Sequence, residues 1–281
     1  MEKNPEKPSE IRMAVLIDAD NVSAQNIKGM MEEIARYGNP TIKRIYGDWT
    51  RPNLGGWKNL LLDYAITPIQ QFGYTTGKNA TDSAMIIDAM DILYSDRADS
   101  FCLVSSDSDF TRLAMRLREA GKTVYGIGEQ KTPNAFIAAC DRFIYLEILE
   151  ESSRDDHETV AEVPEHKPQR QQQPRKKTLG KIGPDVIKLI SSTIRDVEDE
   201  NGWAYLGEVG SLIQKKQPSF DSRNYGFEKL TPMIKAIGRY EIDVRDTGHS
   251  SSKHIFIRIK AKYSNQDKNN GTGNGSGTHT G

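Results

Sequence analysis

The sequence predicts an α/β protein: a parallel sheet sandwiched by helices over residues 11–149, then a small winged-helix unit of α+β type over 181–261. Three observations predict it. Continuous apolar runs such as Met13-Ala-Val-Leu-Ile17 and Phe101-Cys-Leu-Val104 suit strands covered on both faces, the situation of parallel sheets. Helix-length amphipathic stretches separate those runs, which implies right-handed βαβ crossovers. Near Ile182 the pattern changes to three helical stretches followed by two alternating ones.

Taken in order, the expected strands are 12–17, 41–47, 66–72, 100–105, 123–127 and 143–146. The expected helices are 23–37, about 55–65, 81–94 and 109–120, with Gly38, Gly121 and Gly126 as breaks. The stretch 109–120 is the clearest, since Phe110, Leu113, Ala114 and Leu117 form one stripe before Gly121. In the second unit, Val186, Ile187, Ile190, Ile194 and Val197 mark one helix. Leu206, Val209, Leu212 and Ile213 mark another, and Phe227, Leu230, Ile234 and Ile237 a third. Strands 240–245 and 254–259 follow, around a turn at Thr247-Gly-His-Ser250. Three helices and a hairpin make a winged helix.

With 36% apolar and 27% charged residues in 281, the chain has the composition of a soluble protein with a full core. Its net charge of −1 gives no global sign of a polyanion partner, but the charges are segregated. Residues 151–166 are acidic and 167–181 basic, around Gln171-Gln-Gln-Pro174. Segment 150–180 therefore reads as a solvated, flexible linker, or in its basic half as an arm for a polyanion. Residues 1–10 and 262–281 read as a flexible N-terminus and a disordered tail. Cys102 and Cys140 lie in apolar patterns without metal spacing, as buried thiols of a reducing cytoplasm do. MEKNPEKPSE lacks the apolar core of a signal peptide and no run approaches a membrane span, so a cytoplasmic location and no membrane partner are expected.

The chemistry sits where the strands stop. Asp18, Asp20 and Asn21 follow the first strand, Asp107 and Asp109 the fourth, and Asp82 opens a helix. Ligands of such sheets bind beyond the carboxyl ends of the strands, so three segments deliver acids to one rim. Close carboxylates repel by about 4 kcal/mol per pair at an effective dielectric near 20. A hard divalent cation, Mg²⁺ or Mn²⁺, relieves that repulsion through oxygen ligands. Helix capping and the dipole offer a blander use for Asn21 or Ser23, for one of Asp107 and Asp109, and for Asp82. Lys78 is placed to grip a phosphate, and Ser105 and Ser106 to bond a phosphate or orient carboxylates. Trp49, Trp57 and Tyr74 are stacking candidates, with Trp57 reading better as packing. Asp91 reads as solvated, and Asp88 as buried against a partner such as Arg112 or Arg116. No histidine precedes His157, and no nucleophile constellation appears. General-base duty falls to a metal-activated water or an aspartate.

These pieces resemble an NYN domain of the PIN-like nuclease superfamily, of the LabA-like kind, over residues 12–147. The likeness rests on Asp18-Ala-Asp-Asn21, Tyr46-Gly-Asp-Trp49, Thr81-Asp82 with Asp88, and Val104-Ser-Ser-Asp-Ser-Asp-Phe110. It implies a Rossmann-like parallel sheet and an Mg²⁺- or Mn²⁺-dependent ribonuclease. Asp18, Asp82, Asp107 and Asp109 would be catalytic metal ligands, with Asn21 supporting Asp18. Residues 179–260 resemble an OST-HTH (LOTUS) domain through Tyr205-Leu-Gly-Glu-Val209 and Tyr225-Gly-Phe-Glu-Lys-Leu230. That likeness implies binding of RNA, or of a protein partner. With 13 basic against 11 acidic residues over 179–260, phosphate binding needs local clustering; Lys215, Lys216, Arg223, Lys229 and Lys253 are candidates.

The expected function is thus hydrolysis of RNA phosphodiesters by a metal-activated water at an aspartate cluster, as an endoribonuclease would, with a tethered RNA- or partner-binding domain. Two alternatives stand beside it. One is a phosphatase of haloacid-dehalogenase type, with Asp18 as nucleophile and Asp20 as acid. The other is a catalytically inactive RNA-binding scaffold.

Overall fold

The structure is a computed structural model that describes residues 10–72, 80–152, 178–246 and 253–264. The chain divides into two compact units, residues 1–176 and 177–281. The expected stacking residue Tyr74, the phosphate candidate Lys78, the hairpin turn at 247–250 and most of the linker and tail lie outside the described residues.

The first unit runs β1 (Arg12–Asp18), α1 (Ile27–Ile34), β2 (Asn39–Gly47), α2 (Lys58–Asp63), β3 (Thr67–Gln70) and α3 (Ala80–Tyr94). It continues through β4 (Ser100–Val104), α4 (Thr111–Glu119), β5 (Thr123–Gly128), α5 (Asn134–Ala139), β6 (Arg142–Tyr145) and α6 (Leu146–Ser152). All six strands are parallel, in the order β3-β2-β1-β4-β5-β6. The α/β sandwich is as expected. The direction of winding reverses between β1 and β4, and such a switch point opens a crevice at the carboxyl edge of the sheet.

Alternation along β1 decides which way its acid faces. Ala14 and Leu16 pack in one cluster with Met85 and Ala89 of α3, and Asp18 continues that period of two. A one-residue slip would turn Asp18 to the other face. On α3, Asp82, Met85, Ala89 and Ile92 are buried along one stripe, so the first turn of the helix stands over the edge that Asp18 reaches.

Several boundaries differ from expectation. The stretch 23–37 is a 3-10 turn at Ala24–Asn26 followed by a shorter α1, with Ser23 accepting the Gln25 amide at the cap. Residues 55–65 divide in the same way into Pro52–Trp57 and α2. Leu146, expected to close the last strand, opens α6. The helix α5 is unheralded, because its six residues are too short to show a period.

The second unit comprises α7 (Pro184–Val197), β7 (Ala204–Tyr205), α8 (Leu206–Lys216), α9 (Leu230–Ile237), β8 (Tyr240–Asp246), β9 (Lys253–Ile259) and a short α10 (Ala261–Ser264). Its sheet is antiparallel in the order β7-β9-β8, with Ile257 opposite both Ala204 and Ile242. One core holds Ile190, Ile194, Val209, Ile213, Met233 and Ile257. The winged helix therefore carries a third strand that was not expected, since two residues give no alternation to read. The turn of α10 also occupies the start of the expected tail.

Candidate functional site

The acids arrive from three elements. Asp18 ends β1 and is wholly buried. Its Oδ2 accepts hydrogen bonds from Asn21 Nδ2 at 2.6 Å and Ser105 Oγ at 2.9 Å, and its Oδ1 accepts one from the Asp20 amide at 3.1 Å. Burial pushes the Asp18 carboxyl above its ordinary range, against the pull of those donors. Ser105 is the hinge of this arrangement, since its Oγ also accepts from the Asp107 amide at 3.1 Å. One buried hydroxyl thus ties the end of β1 to the loop after β4.

Asp107 caps the turn at Ser108–Phe110, accepting from the Asp109 amide at 2.9 Å. The cap uses one oxygen and fixes the carboxylate in place. Asp82 comes from the first turn of α3 and retains only 9% exposure. Asp82, Asp107 and Asp109 each present a carboxylate oxygen, and these lie within 4.8 Å of one another. Asp82 carries the cost of that convergence. Its carboxyl is raised to about 6 by burial first, then by the charges of Asp18, Asp107, Asp109 and Asp20. A first-turn acid is normally favoured by the helix dipole. Here burial, together with the field of its neighbours, outweighs it.

The other expected residues divide. Asn21 donates to Asp18, and Asp20 accepts from Thr81 Oγ1 at 3.2 Å, which ties the β1 loop to the residue before Asp82. Ser105 is fully buried and orients Asp18, so of its two expected uses it has the second. Ser106 is also buried, and its Oγ accepts the Glu129 amide at 2.8 Å. Trp49 is half-buried beyond β2; its indole N–H donates to the Ile69 carbonyl at 3.0 Å. Trp57 is buried packing, with 2% exposure.

Asp88 is the clearest correction. It pairs neither with Arg112 nor with Arg116 but with Arg44, and it accepts from the Tyr46 hydroxyl. Arg44 and Tyr46 are two apart on β2 and so share a face, the signal that sequence reading passed over. Desolvation and the Asp88 charge push the Tyr46 phenol far up, so it remains a donor. This clamp joins α3 to β2 six residues beyond Asp82. Gly128 was missed as well: a Cβ there would stand 2.5 Å from the Ser105 carbonyl oxygen, so only glycine lets β5 close against the residue that holds Asp18.

Residues 12–147 match the family model of the NYN domain, and residues 179–252 that of the OST-HTH/LOTUS domain. This is an NYN-domain chain with a C-terminal LOTUS domain. NYN domains belong to the PIN-like nuclease superfamily, and LOTUS domains bind RNA. Among solved structures, the chain is similar to an uncharacterized protein of Nitrosomonas europaea, at 31% identity over 36% of this chain and 92% of that one, with a TM-score of 0.27. A protein of unknown function from Vibrio parahaemolyticus shares 19% identity over 49% of this chain and 94% of that one, with a TM-score of 0.41. A protein from Chromobacterium violaceum shares 33% over 27% and 80%, with a TM-score of 0.23. No curated protein matches. Among the described residues of the NYN and LOTUS units, no helix is long and apolar enough to cross a membrane.

Proposed function

We propose that this chain is an Mg²⁺- or Mn²⁺-dependent endoribonuclease of the cytoplasm. Its NYN unit hydrolyses RNA phosphodiesters at the rim of Asp18, Asp82, Asp107 and Asp109, and its LOTUS unit holds the RNA. One observation carries the reading: acids from two separate elements present carboxylate oxygens within 4.8 Å at the switch point of the sheet. An all-oxygen donor set of high charge density fits a hard divalent ion and suits no soft metal.

Asp82, Asp107 and Asp109 would hold the cation, and the charge of Asp18 also acts on Asp82. A divalent ion held there would supply an acidified water and compensate charge on the phosphodiester. The protein's own work is positioning. Ser105 and Asn21 fix the Asp18 carboxylate, the Asp109 amide fixes Asp107, and the Asp88 clamp fixes the helix that carries Asp82. With its carboxyl raised to about 6, Asp82 is protonated in part of the molecules near pH 6, and that proton must leave before a cation can enter. Trp49, held by its indole N–H beyond the end of β2, offers a fixed ring to an unpaired base.

The same geometry disfavours a phosphatase with Asp18 as nucleophile. That carboxylate has no exposure, and both its oxygens accept hydrogen bonds. The test is incubation of the full chain with end-labelled single-stranded RNA in Mg²⁺, Mn²⁺ or EDTA. Cleavage is expected with either metal and none in EDTA, and Asp107→Asn should lose it with an unchanged circular dichroism spectrum. Equal cleavage by wild type and variant would overturn the reading. RNA binding with no turnover in any metal would establish the scaffold instead.

A further inference from the structure

The solvent side of the LOTUS sheet does not resemble an ordinary polar face. Ile255, Ile257 and Ile259 of β9 pack inward with the core. The alternate positions His254, Phe256 and Arg258 therefore point outward. Tyr205 of β7 lies 5.0 Å from the His254 ring and 5.8 Å from the Phe256 ring. Arg258 lies 4.6 Å over the Trp203 ring, and Arg245 lies 4.0 Å over Phe256 and 5.4 Å over Trp203. Each guanidinium is held by an acid of β8, Arg258 by Glu241 at 2.6 Å and Arg245 by Asp243 at 2.8 Å. The result is an array of rings and guanidinium planes, already ordered, on a surface open to solvent.

Along the edge of this array runs an open groove of about 640 Å³, lined by Trp203, Lys235, Tyr240, Glu241, Asp243 and Lys260. Its two acids are the ones already neutralised by Arg258 and Arg245. Lys235 is exposed and has no acid partner among the described residues, and Lys260 donates to the Gly238 carbonyl at 2.8 Å, which leaves its charge intact. Arg239 and Lys262 stand beside them, both over the Tyr263 ring, at 4.5 and 4.9 Å. The uncompensated charge of the groove is therefore positive. Lys260, Lys262 and Tyr263 lie beyond the stretch that the LOTUS family model matches. By contrast, two cations expected from sequence to meet phosphate are already paired, Lys216 with Asp196 and Arg223 with Asp221.

We propose that this groove and the outer face of the β7-β9-β8 sheet, and not the helices of the winged helix, form the seat for single-stranded RNA. An unpaired base stacks against Trp203 and its arginines, and the flanking phosphates meet Lys235 and Lys260. Planar stacking partners beside uncompensated cations are what unpaired, flexible strands exploit, whereas a duplex hides its base faces. The assignment rests on the reading of the LOTUS unit as the part that holds RNA.

The test measures fluorescence anisotropy of the full chain with a fluorescein-labelled RNA of about 12 nucleotides, a length within the span of one such module. EDTA prevents turnover, and duplex RNA and single-stranded DNA of the same sequence serve as the other arms. Lys235→Glu with Lys260→Gln should weaken binding by about tenfold. It should lower the slope of log affinity against log salt by about 1.4, the share of two phosphate contacts on a single strand. Lys215→Glu with Lys229→Glu, on the helical side, should change neither by as much. RNA should quench tryptophan emission less in Trp203→Phe than in the wild type, the remainder coming from the other tryptophans; the variant keeps an aromatic ring there and reports on folding through its thermal midpoint. Unchanged affinity in the groove variant, loss confined to the helical variant, or tighter binding of duplex or DNA would each overturn the proposal. If the wild type binds RNA on the groove but cleaves nothing, the nuclease reading falls and this one stands. If it cleaves while the groove variant binds normally, the reverse holds.

Discussion

Replacing Asp82 by Asn should make the metal-free protein more stable while abolishing its turnover. The native fold raises this carboxyl from 3.8 to about 6. The neutral form is therefore the one the fold prefers. Stability linked to it is fully present below pH 3.8 and is lost as pH rises through about 6. At pH 8 the deficit is at most about 3 kcal/mol, taking about 1.4 kcal/mol per unit over roughly two units. Asn has nearly the same shape and no charge, so it should recover about 1–3 kcal/mol. For a unit of this size, 1 kcal/mol moves the thermal midpoint by about 2–4 °C. Thermal melts in EDTA at pH 8 should then show the NYN transition of Asp82→Asn several degrees above wild type, with the gap closing toward pH 4. Adding Mn²⁺ should raise the wild type more than the variant, since ligand binding to the native state stabilises it. An Asp82→Asn midpoint at or below wild type at pH 8, with the same pH dependence, would refute the claim that the acids repel one another at this site.

The same proton predicts how metal affinity varies with pH. Deprotonation of one group near pH 6 should make Mn²⁺ bind about tenfold more tightly at pH 7 than at pH 5, and titration calorimetry should show a flatter profile for Asp82→Asn. Ser105→Ala removes a donor from the buried Asp18 carboxylate and should cost about 1–3 kcal/mol in denaturant melts at pH 7. Its loss also lifts the Asp18 carboxyl further, so the cost should shrink as pH falls toward 4. Tyr46→Phe deletes a buried hydroxyl from Asp88 and should cost about 1.5–3 kcal/mol by the same measurement, with a weaker metal affinity if the clamp positions α3. Gly128→Ala forces a methyl group toward the Ser105 carbonyl oxygen and should cost about 1–3 kcal/mol and lower turnover more than a surface Gly→Ala change such as Gly55→Ala.

What could be read from sequence followed from periodicity and from the rule that sites lie at strand ends. The apolar runs at 13–17 and 101–104 marked β1 and β4, and with them the edge where Asp18 and Asp107 stand. Asp82 was legible as an acid at a helix start, and the buried stripe that continues through Met85 and Ala89 explains why it faces inward. The internal wiring was not legible. The partner of Asp88 sits 44 residues away on β2, and only the parallel register of β1 with β2 brings it near. Sequence left Ser105 open between binding a phosphate and orienting carboxylates, because nothing local says that its hydroxyl turns back to a carboxylate 87 residues earlier. Short elements such as α5 and β7 hold too few residues to show a period. The array on the LOTUS sheet was hidden for a related reason: Trp203, Arg245 and Arg258 meet only once the hairpin pairs with β7.

The proposed nuclease depends on cation capture by Asp82, Asp107 and Asp109. Electron paramagnetic resonance of Mn²⁺ titrated into the full chain at pH 7.5 measures it without reference to any substrate. The prediction is saturable loss of the free Mn²⁺ signal in the wild type, weakened at least tenfold in Asp107→Asn and in Asp82→Asn. Saturable binding of undiminished strength in the double variant Asp82→Asn/Asp107→Asn would contradict it.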